Sequence, residues 1–129
     1  SLGAYWADFY ANRYSADNLV IINPVIDARQ CMMDNFGEHF SERRQKLFVV
    51  TPEIAKAYGK IETSFSNETR CLVILSKHDP HLDPAPTLSM YWDTPATNLV
   101  VYDTQIHTLP LKKHPAMGLI RMFILEPAE

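Results

Sequence analysis

The chain has 129 residues, a hydrophobic content of 47% and a formal net charge of −3. That length accommodates one domain with a real core and excludes two. The apolar share excludes disorder, and the slight acidity gives no electrostatic ground for a nucleic-acid or anionic-membrane partner. No apolar run is long enough to span a bilayer.

Residues 1–14 read as a helix, because Leu2, Tyr5, Trp6, Phe9 and Tyr10 recur at helical spacing and form one continuous face. This aromatic face is expected to be core packing. Gly3, Ala4, Ala7 and Ala11 are small enough to let the helix approach a sheet closely. The helix begins at Ser1 with nothing before it, which predicts an N-terminally truncated domain. Residues 18–23, NLVIIN, read as a strand that Pro24 ends, since proline cannot continue a ladder. Residues 25–60 carry scattered aromatics and the charged run Glu42, Arg43, Arg44, Gln45, Lys46. They read as a helical, partly mobile, lid-like insertion at the sheet's edge, with Arg43 and Arg44 on a solvated face. Within it Thr51, Pro52 and Glu53 have the chemistry of a helix start: a capping hydroxyl, a proline and an early acid.

Residues 64–69 form a polar loop leading into CLVIL at 71–75, a short unbroken aliphatic run. Such a run is how a strand covered on both faces of a parallel sheet reads. A short helix is expected at 87–92 and a strand at 98–102, NLVVY. Residues 115–125 close the chain as a helix, with Met117, Leu119, Ile120, Phe123 and Ile124 on a broad apolar face. Strand, helical region, strand, helix, strand, helix is the order of an α/β fold: a parallel sheet of at least three strands flanked by helices. Cys71 lies inside the apolar strand, so Cys31 and Cys71 are read as two reduced thiols in a cytoplasmic setting.

Chemistry in open α/β sheets sits beyond the carboxyl ends of the strands. Asp79 follows the central strand at such an end, and His107 follows the next. Ser1, Leu2 and Gly3 form the second half of a G-x-S-x-G elbow, in which a serine sits on a sharp turn opening a helix. By itself Ser1 would equally serve as a helix N-cap. The order Ser, Asp, His is nevertheless that of α/β-hydrolase triads. Asp83 is the competing acid, and Asp79 is preferred because it lies nearer the strand end. A different chemistry is open to His78, Asp79, His81 and Asp83, which crowd one loop and include ligand types that suit zinc, although their spacing fits no zinc pattern. His39 and His114 stand without companions.

The stretches SLGAYWA, Asn23 with Pro24, and above all RCLVILSKHD resemble the YqiA/YcfP family of small α/β-hydrolases. The similarity runs through nearly the whole chain, most weakly through the lid-like insertion. It implies a partial α/β-hydrolase fold and serine esterase chemistry on short acyl esters or thioesters. Small-molecule esters are then the only partner implied, no cofactor or metal is needed, and the oligomeric state stays open. Carried over by position, Ser1 is the nucleophile, Asp79 the acid and His107 the base, with the Leu2 backbone N–H at the oxyanion. Ala4 departs from the glycine usual in the family. The family draws a second oxyanion donor from a loop preceding the serine, so the segment alone is expected to be inactive. The alternative is a non-catalytic module that keeps the fold for binding.

Overall fold

The computed structural model describes residues 1–61, 69–94 and 97–126. Its elements run α1 (Leu2–Arg13), β1 (Asn18–Ile22), α2 (Ala28–Met33), β2 (Gly37–Ser41), β3 (Lys46–Val50), α3 (Pro52–Tyr58), β4 (Arg70–Ser76), α4 (Ala85–Tyr91), β5 (Thr97–Tyr102) and α5 (Ala116–Leu125). They form two compact units, Ser1–Ile26 with Ser64–Glu129, and Asp27–Thr63. The expected polar loop at 64–69 lies almost wholly outside the described residues.

The larger unit is the expected α/β arrangement. Its sheet is parallel in the order β1-β4-β5. The central β4 pairs Ile74 with Ile22 on one side and with Val100 on the other. The run from Cys71 to Ser76 is buried without a break, because layers cover both of its faces. Side chains alternate across a strand. Leu72 and Ile74 accordingly join Leu109, Ala116 and Phe123 in a cluster under α5. Cys71 faces the other way, within electrostatic reach of Asp8 of α1 and Tyr91 of α4. Burial, with Asp8 adding, pushes the Cys71 thiol up to about 12. Both cysteines are free. No described helix is long and apolar enough to cross a membrane.

Helix α1 packs on β1 through a face that shares only Tyr5 with the one its aromatics mark. Its buried residues are Ala4, Tyr5, Asp8 and Ala11, whereas Tyr10 and Tyr14 are largely exposed. Trp6, Tyr10 and Tyr14 instead stack along the outside of the helix, with centroids 6.3 and 6.1 Å apart. Ala4, Asp8 and Ala11 take the inward face together with one aromatic, Tyr5, because the sheet is close, and the other aromatic side chains are displaced toward its flank.

Arg70 ties the amino-terminal end of the sheet together. One of its amino groups donates to Asn18 Oδ1 at 3.1 Å and to the Phe123 carbonyl at 2.7 Å; the other pairs with Glu126 at 2.8 Å. The guanidinium also lies 4.0 Å from the centroid of the Phe123 ring. Replacing Arg70 with Met should destabilise the fold by about 2 kcal/mol, because it removes charged hydrogen bonds to partly buried groups. Glu126→Gln should change stability by less than about 0.5 kcal/mol, because that carboxylate is mostly in water. Urea unfolding of both variants checks the contrast.

The smaller unit departs from the all-helical reading. Helices α2 and α3 pack on each other, and between them in sequence β2 and β3 form an antiparallel hairpin pairing Gly37 with Val50 and Ser41 with Lys46. The charged run is therefore its turn, where Gln45 takes φ 50°, and not a helix face. Gly37, at φ 107°, occupies backbone space that favours glycine. The helix start at Thr51 forms as expected, its hydroxyl accepting from the Ile54 N–H. His39 has companions after all: its Nε2 donates to the Asn35 carbonyl at 2.6 Å and its ring stacks on Phe48.

Candidate active site

The carboxyl ends of β4 and β5 stay together beyond the last ladder pair. Lys77 N–H donates to the Tyr102 carbonyl at 2.8 Å and His78 N–H to the Thr104 carbonyl at 3.0 Å. The Thr104 hydroxyl donates to Ser76 Oγ at 3.0 Å. These bonds hold the loop entering Asp79 beside the loop that carries His107. The Asp79 carboxylate then closes its own loop, with Oδ1 accepting from the backbone N–H groups of His81 (2.8 Å) and Leu82 (3.1 Å). This is the Asx-type turn that short acidic side chains favour.

The second carboxylate oxygen meets His107. Nδ1 of that ring lies 2.7 Å from Asp79 Oδ2, and the two side chains are 17% and 2% exposed respectively. Burial pushes the Asp79 carboxyl up, but the His107 ring and the two backbone donors together bring it below the ordinary carboxylate range. Asp79 is thus ionised and can only accept. A hydrogen must therefore sit on His107 Nδ1, and in the neutral ring the lone pair is then on Nε2. The ring of His81 stands edge-on to that of His107, centroids 5.4 Å apart.

Ser1 sits at the N-cap of α1 and makes no side-chain cap hydrogen bond, so its hydroxyl is not spent in the way an ordinary capping serine's would be. Its backbone is anchored at the carboxyl end of β1. The Ser1 amino group donates to the Ile22 carbonyl at 2.8 Å, and the Ser1 carbonyl accepts from Val25 N–H at 3.2 Å. Leu2 opens the helix, where backbone N–H groups have no intrahelical carbonyl to bind.

The other residues of the 78–83 loop go separate ways. His78 pairs with Asp103 at 2.9 Å, and Asp83 accepts from Ala85 N–H at the start of α4. Asp83 is exposed and helps begin a helix, so Asp79 alone of the two acids holds the histidine. Among the described residues no group of three or more His, Cys, Asp or Glu side chains is arranged to hold a metal ion. His114, expected to stand alone, accepts from Ala116 N–H at 3.0 Å and lies edge-on to Tyr102.

Two buried polar residues carried little sequence signal. Asp8 is 2% exposed on the inner face of α1, in a helix whose pattern pointed to its aromatics. Asn23 is 3% exposed and has φ 44°. Its marks in the sequence were its place before a proline at a strand's end and its share in the family resemblance, and neither gave it a role.

A family model described as "Uncharacterised protein family (UPF0227)" matches residues 1–117 of the chain. No curated protein matches it.

Proposed function

The chain belongs to the UPF0227 family, and from that premise we propose that it is a serine hydrolase of the YqiA/YcfP type within the α/β-hydrolase superfamily, cleaving short acyl esters or thioesters in the cytoplasm. The observation that carries the reading is the 2.7 Å contact between His107 Nδ1 and the ionised Asp79, made at the sheet rim where the Ser1 hydroxyl is left uncapped.

A serine hydroxyl is a poor nucleophile until an imidazole takes its proton. His107 Nε2 accepts that proton as Ser1 Oγ attacks the acyl carbon. Asp79 fixes the reactive tautomer and stabilises the imidazolium. Negative charge gathers on the former carbonyl oxygen, and the free N–H of Leu2 at the helix start is suited to bind it. One such donor contributes about 3 kcal/mol of transition-state stabilisation. The tetrahedral intermediate expels the alcohol or thiol, which takes the proton from His107. Water, deprotonated by the same imidazole, then releases the acid and restores Ser1.

A fluorophosphonate probe on the full-length gene product tests this. Labelling should map to the peptide containing Ser1 and disappear in Ser1→Ala. A folded protein that stays unlabelled at Ser1 would displace the hydrolase reading in favour of a binding module.

A further inference from the structure

The three triad positions come from distant parts of the chain, yet Ser1, His107 and the strand end that leads to Asp79 are all hydrogen-bonded to the short segment from Ile22 to Val25. Ser1 is held by the Ile22 carbonyl and the Val25 N–H. Asn23 reaches His107 and the strand end that precedes Asp79. Its Oδ1 accepts from the Ser76 N–H at 2.8 Å, where β4 ends and the loop to Asp79 begins. Its Nδ2 donates to the His107 carbonyl at 2.6 Å and to the Ile106 carbonyl at 3.4 Å. Its own N–H donates to the Ile74 carbonyl at 2.9 Å.

We propose that Asn23 is a positioning residue, a side-chain amide that fixes the backbone of His107 to the end of the central strand so that the imidazole meets Asp79 at the rim where Ser1 is anchored. The inference rests on the hydrolase reading for its catalytic consequence, though not for the clamp itself. Three features single out the amide. It is buried, so its donor and acceptor must find partners within the protein. It uses both ends at once, accepting from an N–H with its oxygen and donating to a carbonyl with its nitrogen, which a carboxylate cannot do and a hydroxyl could do only from a single atom. It stands at φ 44°, a left-handed conformation that asparagine tolerates better than most residues and that turns the amide toward the 106–107 loop. That loop leaves β5 at Tyr102 and runs through four residues before reaching His107, so an anchor at the histidine's own carbonyl limits how far the ring can drift. Asn23 touches no reacting atom; it acts through His107.

The variant Asn23→Gly removes the side chain while keeping a residue that accepts φ 44° without strain. Asn23→Asp keeps the acceptor for Ser76 but turns an oxygen toward the His107 carbonyl, and it serves if the glycine variant does not fold. Two readouts on the full-length gene product are needed: the rate of fluorophosphonate labelling per folded molecule, and the low-field Nδ1–H proton resonance of His107, assigned by its loss in His107→Ala. Labelling should slow by about 100-fold, the penalty typical of a catalytic group displaced by an ångström, with kcat on a short ester falling and KM nearly unchanged. The resonance should weaken or vanish as the Asp79 contact loosens. A folded variant that labels within about two-fold of the parent overturns the proposal. So does one that labels slowly yet keeps the resonance, since the defect then lies elsewhere. If the parent itself does not label, the hydrolase reading fails and the resonance alone decides the clamp: loss in the variant upholds it, and retention overturns it.

Discussion

In the full-length gene product, Asp79→Asn should lower turnover of a short-chain ester by about 10⁴-fold while leaving the protein folded. An asparagine can offer an N–H where the carboxylate only accepts, so the imidazole can turn its other tautomer toward Ser1 and lose the lone pair that takes the proton. The compensating charge is lost as well. A fall of less than about ten-fold in the folded variant would mean that Asp79 does not serve the histidine in this way. The pH dependence of stability is a second signature. Asp79 has its carboxyl below the ordinary range in the fold, so its contribution is fully present above the unfolded value near 3.9 and is lost as pH falls through the folded value. The stability gap between parent and Asp79→Asn should be constant near neutrality and narrow in acid, which denaturant titrations at several pH values would show.

Ile74→Ala should be the most damaging single change to the fold, destabilising it by about 3 kcal/mol. Ile74 is fully buried in the middle of the central strand and belongs to the cluster that joins Leu72, Leu109, Ala116 and Phe123. A strand paired on both sides and covered on both faces cannot collapse into the space left by three carbons. For a domain of this size the loss corresponds to roughly 10 °C in the melting temperature. Met122→Ala is the contrast: its side chain is 70% exposed on α5, and the change should stay within about 0.5 kcal/mol. Equal effects at both positions would contradict the burial pattern. Thermal melts of the two variants decide the matter.

The parts of the fold legible in the sequence were those where local chemistry and tertiary demand agree. CLVIL is aliphatic throughout because β4 is covered on both faces, and that pattern survives in any reading of the chain. Thr51 and Pro52 mark a helix start whatever packs above it. The hairpin was missed for the opposite reason. Strand β3 is exposed at every residue from Lys46 to Val49, so no buried face imposes an alternation, and the charged turn between the strands resembles the solvated side of a helix. In α1 the pattern was real but ambiguous. Aromatics and small residues both recur at helical spacing, and only the distance to β1 decides which set turns inward.

The sequence by itself determined the strand order in the chain, the apolar centre and the residues that fall just beyond each strand's carboxyl end, because these follow from short-range pattern and the geometry of parallel sheets. Only the tertiary structure decided that Asp79, rather than Asp83, meets His107, that the hydroxyl of Ser1 goes uncapped, and that Asn23 fastens the histidine's backbone to the central strand. Those outcomes depend on contacts between residues dozens of positions apart, and no periodicity along the chain encodes a distance across it.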